Sequence, residues 1–226
     1  MARTPKRVAP RPTGAPVPET LVLPPRREKI DQVVGYRTRS LVVVLDQIED
    51  PFNMAAVLRT CEALGIQEVH VVEHPEVRFS PNSKVTQGCE KWLDIHRWED
   101  FEAARTALRE RGFEIWVSAA HHQAQSLWDL GFGGRQALVF GNERTGVSEA
   151  ALAGADGRFW IPMRGFTRSL NVSAAVAMTL GRATAWRSEH AGEGGDLTPE
   201  EGDALRARFH ALSVKQRGRI WRPGRS

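Results

Sequence analysis

Residues 161–175 read IPMRGFTRSLNVSAA. An apolar strand end, Ile161-Pro162-Met163, gives way to a glycine-containing turn, and the chain then enters a helix through Ser169, Leu170 and Asn171. Ser and Asn start helices because their side chains accept hydrogen bonds from first-turn amides that lack an intrahelical partner. An ordinary cap needs one such residue. Here Ser169, Asn171 and Ser173 set several short polar groups beside exposed amides, where a polar ligand can also sit. By itself the stretch reads as a capped helix, and two other segments change that reading.

The first is residues 50–65, DPFNMAAVLRTCEALG. Pro51 is expected to end the preceding extended segment and Asn53 to cap the helix that follows. On a helical wheel, Met54, Val57, Leu58, Cys61 and Leu64 fall on one stripe that faces the core. Arg59 points nearly opposite, flanked by Ala55, Ala56 and Ala63. An arginine on an outer helix face is ordinarily just solvated; small neighbours let another surface approach its guanidinium closely. The second segment is residues 138–147, LVFGNERTGV. Its apolar run ends in a turn bounded by Gly141 and Gly146, which permit positive φ and close backbone approach. Glu143 between them is placed to accept hydrogen bonds from a neighbouring loop. Alone, this is also a common surface turn.

Residues 41–45, LVVVL, form a continuous β-branched run of the kind buried on both faces in a parallel sheet. Further strands are expected at 68–72, 114–118, 136–140 and 158–162, with helices from Asn53, over 99–111 and over 172–189. This alternation predicts an α/β fold, a mostly parallel sheet flanked by helices. Residues 1–25 are rich in Pro, Arg and Ala and read as disordered; residues 28–39 suit a short helix. The glycines at 192, 194 and 195 mark a flexible break, and Thr198 caps a final helix with Glu201 at capping-box spacing. Three parts result: a basic, largely disordered extension over 1–40, a domain over 41–190, and a linker, helix and basic tail over 191–226.

A chain of 226 residues suits one α/β domain with appendages. Its net charge of +4 is concentrated at the ends, with Arg26, Arg27 and Lys29 near one and Lys215, Arg217 and Arg219 near the other. Such ends fit a phosphate-rich partner, although they also serve solubility. Only Cys61 and Cys89 occur, without metal-ligand spacing, so a reduced, cytoplasmic protein is expected. No apolar run is long enough to cross a membrane. The Gly131-Phe132-Gly133-Gly134 run precedes a strand, whereas a dinucleotide-binding loop must follow one. His121-His122 lacks a third ligand, so no metal is expected.

Taken together, the three segments resemble the SpoU/TrmH family of RNA ribose 2′-O-methyltransferases, part of the SPOUT class. An Asn with an Arg six residues on, then Gly-x-Glu-x-x-Gly, then Ile-Pro-Met with Ser-Leu-Asn-Val-Ser follow that family's order, over roughly residues 41–190. Lys91-Trp92 resembles the branch that methylates guanosine 18 of the tRNA D-loop; sister branches act on ribosomal RNA or the tRNA wobble position, and a non-catalytic RNA-binding protein of the same fold is the remaining alternative. The resemblance implies a C-terminal trefoil knot, which general fold rules would not suggest, S-adenosylmethionine as cofactor, tRNA as partner and a homodimer whose subunits share the site. It implies cofactor binding by Ala119, Gly141, Ile161, Met163 and Leu170, and catalytic roles for Arg59, Asn53, Glu143, Ser169 and Asn171. Arg59 is often described in the family as the general base, yet a guanidinium is better suited to gripping a phosphate. The residues leave a phosphate oxygen, water or Arg59 itself open as proton acceptor.

Overall fold

Strand β2 (Leu41–Asp46) is buried at every position because it runs through the middle of an eight-stranded sheet. In the computed structural model, which describes residues 6–7, 21–77, 79–80, 82–119 and 124–220, β2 lies between β3 (Glu68–Val72) and β7 (Gln136–Gly141), parallel to both. On one side the sheet continues through β4 (Asp94–Trp98) to an edge pair, β1 (Lys6–Arg7), which runs antiparallel. On the other it continues through β5 (Glu114–Ser118) and β8 (Gly157–Trp160) to β6 (Gln125–Ser126), all parallel.

Strand side chains alternate between faces, and β2 shows this directly. Leu41, Val43 and Leu45 enter a core with α2 (Pro51–Ala63) and α6 (Val172–Ala191). Val42 and Val44 enter the opposite core, under α4 (Phe101–Glu110) and α5 (Glu149–Gly154). The α3 turn (Ser83–Thr86) and a 3-10 turn (Cys89–Trp92) connect β3 to β4. A third, smaller core joins α1 (Pro24–Gly35) to α7 (Pro199–Ile220) through Ile30, Val34, Leu205 and Phe209.

The fold class read from the sequence is the one observed, with several local differences. Asp50, not Asn53, caps α2: its carboxylate accepts from the Phe52 amide at 2.8 Å. Pro51 opens this helix instead of merely ending the strand before it, since N1 needs no amide donor. Ala55, expected beside Arg59 on the outer face, is fully buried, because α2 presents a wide face to α6. Helix α1 starts earlier than expected, and β8 ends at Trp160, so Ile161 and Pro162 belong to the following loop. In the segment expected to be largely disordered, Lys6 and Arg7 pair with Arg97 and His96; residues 1–5 and 8–20 lie outside the described residues. Strand β4 was not anticipated, since Asp94, His96 and Arg97 hide its apolar pattern. Its burial is possible because Asp94 accepts from Arg39 at 2.8 Å and from Arg208, while Glu68 accepts from Arg39 at 2.9 Å and Arg111 at 2.8 Å.

The chain after α6 is clamped to the start of the domain. Asp196 accepts from Thr38, from Ser40 and from the Arg39 amide at 2.6 Å, and Arg187 approaches it at 3.3 Å. Helix α7 then starts with the expected capping box, Thr198 N–H donating to Glu201 at 3.0 Å and the Glu201 amide to the Thr198 hydroxyl at 3.2 Å. Gly131 and Gly133 form a seat for the Trp186 ring rather than a phosphate loop. His121 and His122 fall outside the described residues. Among the described residues, no helix is long and apolar enough to cross a membrane.

Candidate active site

Ligand sites in parallel sheets form beyond the carboxyl ends of the strands, and here β2, β5, β7 and β8 deliver four loops to that side. The turn after β7 folds back on itself: Asn142 and Gly146 exchange backbone hydrogen bonds of 2.9 and 2.8 Å. Gly141 is required for this, since a Cβ there would lie 2.3 Å from the Gly146 carbonyl. Asn142 ties the turn to the loop before α2, donating to the Gln47 carbonyl at 3.2 Å and to Glu49 at 2.9 Å. Asp46, at the end of β2, accepts from the Ser148 amide at 2.6 Å. Burial pushes the Asp46 carboxyl up from its ordinary value, against the pull of that amide.

This tethering carries Glu143 to α2. Asn53 donates to the Glu143 carboxylate, and Asn171 donates to the Asn53 carbonyl oxygen at 2.9 Å. Asn171 also caps α6, its side-chain oxygen accepting from the Ser173 amide at 2.9 Å and the Ser173 hydroxyl at 2.5 Å. One line of hydrogen bonds thus joins all three segments, from residues far apart in the chain. It works because Asp50 relieves Asn53 of capping.

Beside this line lies a cavity of about 400 Å³, within the usual range for small-molecule sites. Ala119, Gly141, Ile161, Met163 and Leu170 all line it, as do Glu143 and Ser169. Phe140, Val172 and Trp160 add apolar wall; Ser118, Thr167 and Arg168 add polar groups. A ligand with a flat ring and a cationic end fits this mixture: ring against apolar wall, cationic end toward Glu143.

The SpoU rRNA Methylase family model matches residues 40–181 of this chain. The chain belongs to that family. It is 38% identical over 155 residues to the tRNA (guanosine(18)-2′-O)-methyltransferase of Thermus thermophilus, covering 69% of this chain and 79% of the relative. With the enzyme of that description from Aquifex aeolicus it shares 31% identity over 173 residues, 76% of this chain and 82% of the relative. The crystal structure of the A. aeolicus TrmH/SpoU tRNA modifying enzyme superposes with a TM-score of 0.77 at 27% identity, over 84% of this chain and 97% of that one. The SpoU methyltransferase AviRb from Streptomyces viridochromogenes, in complex with AdoMet, gives 0.61 at 26% identity, over 70% of this chain and 64% of that one.

Of the residues expected from the family resemblance, Arg59 stands apart. It is exposed on α2, does not line the cavity, and its guanidinium has no hydrogen-bond or ion-pair partner among the described residues. It acts on Cys89, whose thiol burial pushes up to about 11 with help from Glu90 and Glu62, Arg59 opposing. Asp46, Asn142 and Arg168 were not singled out in advance. Asp46 carried a usable signal, a charge closing an otherwise apolar strand; Asn142 and Arg168 lay inside motifs read for other residues.

Glu68, His70 and His96 bring potential metal ligands within 4.8 Å of one another on β3 and β4. They suit a metal poorly. Both Glu68 oxygens accept from arginines, and His70 Nδ1 accepts from the Trp98 indole at 3.0 Å. A neutral His70 then carries its proton on Nε2, the atom facing Glu68 at 3.6 Å, so that atom has no lone pair for a metal. Burial further lowers the His70 pKa.

Proposed function

We propose that this protein methylates the ribose 2′-hydroxyl of guanosine 18 in the D-loop of tRNA, using S-adenosylmethionine. The observation that carries the reading is the meeting of Asn53, Glu143 and Asn171 beside a cavity built from the family's remaining motif residues. Similarity to relatives described as tRNA (guanosine(18)-2′-O)-methyltransferases supports the choice of nucleotide.

Bound S-adenosylmethionine supplies a methyl group made electrophilic by its sulfonium. In this reading Ala119, Gly141, Ile161, Met163 and Leu170 hold it, the glycine and loop backbone reaching polar edges and the apolar side chains covering the adenine. Asn53, kept in place by Glu143 and Asn171, orients the ribose; Ser169 offers a further hydrogen bond at the cavity. Arg59 grips the phosphate next to the target ribose, a task that its planar fork of donors suits. A guanidinium keeps its own proton, so the hydroxyl proton passes to water or to an oxygen of that phosphate. Alignment of hydroxyl and methyl supplies much of the acceleration.

Arg59 is outside the cavity of its own protomer, and a homodimer resolves this by bringing one protomer's Arg59 to its partner's cavity. Exposed Met178 on α6 supports placing that helix near the interface. A cavity assembled from loops after β5, β7 and β8 fits a C-terminal segment threaded through an earlier loop as a trefoil knot. The division into an extension over 1–40, a methyltransferase domain over 41–190 and a C-terminal part over 191–226 goes with this reading. So does a cytoplasmic location, both cysteines being free.

Methyl transfer to unmodified tRNA and to ribosomal RNA, with mass-spectrometric mapping of the modified nucleotide, tests the function. Methylation of guanosine 18 is expected. Methyl placed on ribosomal RNA or the wobble nucleotide would move the protein to a sister branch. A folded sample that binds RNA but no S-adenosylmethionine would be a non-catalytic RNA binder. Light scattering that finds a fully active monomer would remove the shared-site dimer.

A further inference from the structure

Phe166 is the most exposed large apolar side chain among the described residues, at 109% of its reference exposure. Single exposed apolar residues are ordinary on protein surfaces. This one stands at the rim of the cavity, between Met163 and Thr167, both of which line it. Gly165 before it has open space where a side chain would be, so nothing crowds the ring from that direction. Arg164 and Arg168, two residues to either side, are exposed as well, and neither has a hydrogen-bond or ion-pair partner among the described residues.

An uncovered aromatic ring between two unengaged cations matches the chemistry of a nucleotide. The base offers a flat face, and the phosphates on either side offer negative charge. Single-stranded loops of RNA are recognised in this way, bases being splayed onto aromatic rings while arginines hold the backbone. A second protein surface would be a poorer match, since burying Arg164 and Arg168 with the ring would need carboxylates opposite them. We infer that Phe166 stacks on a nucleobase of the substrate RNA at the mouth of the cavity, with Arg164 and Arg168 on the neighbouring phosphates. The inference rests on the function proposed above and adds to it a residue that presents the target nucleotide.

The full chain carrying F166A, F166Y or F166L is compared with wild type in three measurements. These are S-adenosylmethionine affinity by calorimetry, mass by light scattering, and tRNA affinity by filter binding alongside KM and kcat for methyl transfer. Stacking predicts that F166A weakens tRNA binding and raises KM on the order of tenfold, with cofactor affinity and mass unchanged. F166Y restores binding and F166L does not. Rescue by F166L would mean apolar packing instead of stacking. A fall in mass would make a second copy of the chain the occupant, and lost cofactor affinity would assign the ring to the cavity interior. Unchanged tRNA affinity in F166A would also overturn the inference. Wild-type protein that binds tRNA without methylating any RNA would sink the proposed function alone, the filter-binding comparison still deciding the role of Phe166.

Discussion

At the amino-terminal ends of β3 and β4, Glu68 and Asp94 are buried and each accepts hydrogen bonds from two arginines. At the carboxyl-terminal ends of β7 and β8, Glu143, Asn53 and Asn171 meet with partial access to solvent, while Arg164 and Arg168 beside the cavity engage no described partner. Both regions are rich in charge, but only the first is closed. Burial disfavours the Glu68 charge, yet the hydrogen bonds and charge of Arg111, with the His70 ring N–H facing the carboxylate, outweigh it and hold the carboxyl well below its usual range. The carboxylates of such a cluster are matched within the fold and would lose by opening. The second cluster keeps donors in reserve, and an anionic substrate is what they lack. Charge alone therefore does not mark a site; the balance of satisfied and unsatisfied groups does.

The largest effect is expected from breaking the closed cluster. Asp94→Ala leaves Arg39 and Arg208 without their buried carboxylate and should cost about 3–5 kcal/mol of stability in urea unfolding. Methyl-transfer rate per folded molecule should change little. A stability loss below about 1 kcal/mol would show that solvent already screens this cluster, and the contrast between the two ends would lapse.

Arg59→Ala should do the reverse. The melting temperature and cofactor affinity stay near wild type, while kcat and kcat/KM fall together by about 10²–10³-fold, or roughly 3–4 kcal/mol in the barrier. Arg59→Lys should recover little, because an ammonium lacks the two-pronged fork. Near wild-type methylation by Arg59→Ala would reduce Arg59 to a solvated helix residue.

Gly141→Ala tests the hinge of the open region. Its Cβ would lie 2.3 Å from the Gly146 backbone, so the turn has to open. Calorimetry should show S-adenosylmethionine affinity lowered on the order of tenfold, about 1.4 kcal/mol. Unaltered affinity would remove this turn from the cofactor wall.

The smallest effect is expected at the Asp196 clamp, which lies outside both clusters. Burial raises its pKa, but hydrogen bonds from Ser40, Thr38 and the Arg39 and Ser40 amides prevail and lower it. A carboxyl with a depressed folded-state pKa adds stability above its unfolded value, near ~3.9, that disappears as pH falls through the folded value. Asp196→Asn should thus be about 0.5–1 kcal/mol less stable at neutral pH, the modest size reflecting its partial exposure. The difference should shrink below about pH 4. A pH-independent difference would mean that the clamp works through shape instead of charge.

Much of this was open to reading in advance. The β-branched run at 41–45 could be little else than a central parallel strand, and the strands at 68–72 and 114–118 have the observed bounds. Strand β4 escaped because its buried Asp94 is tolerable only with Arg39 and Arg208 beside it, and nothing local announces them. Ala119, Gly141, Ile161, Met163 and Leu170, the five residues expected to hold a cofactor, line one cavity. The cap of α2 was misassigned because Asp50 and Asn53 are both good capping residues, and Pro51, a favoured first helical residue that points to Asp50, was read only as the end of the strand.

The sequence by itself determined the strands, the helices and their order, because backbone sterics and apolar periodicity act over a few residues. It also determined which short polar residues were available beside them. Tertiary structure alone decided that Asn53 meets Glu143 and Asn171, residues 90 and 118 positions away, and that Arg59 stays outside the cavity. Those outcomes depend on how the sheet orders its strands and on which groups find partners when water is excluded, and a side chain's nearest neighbours in the chain do not set either.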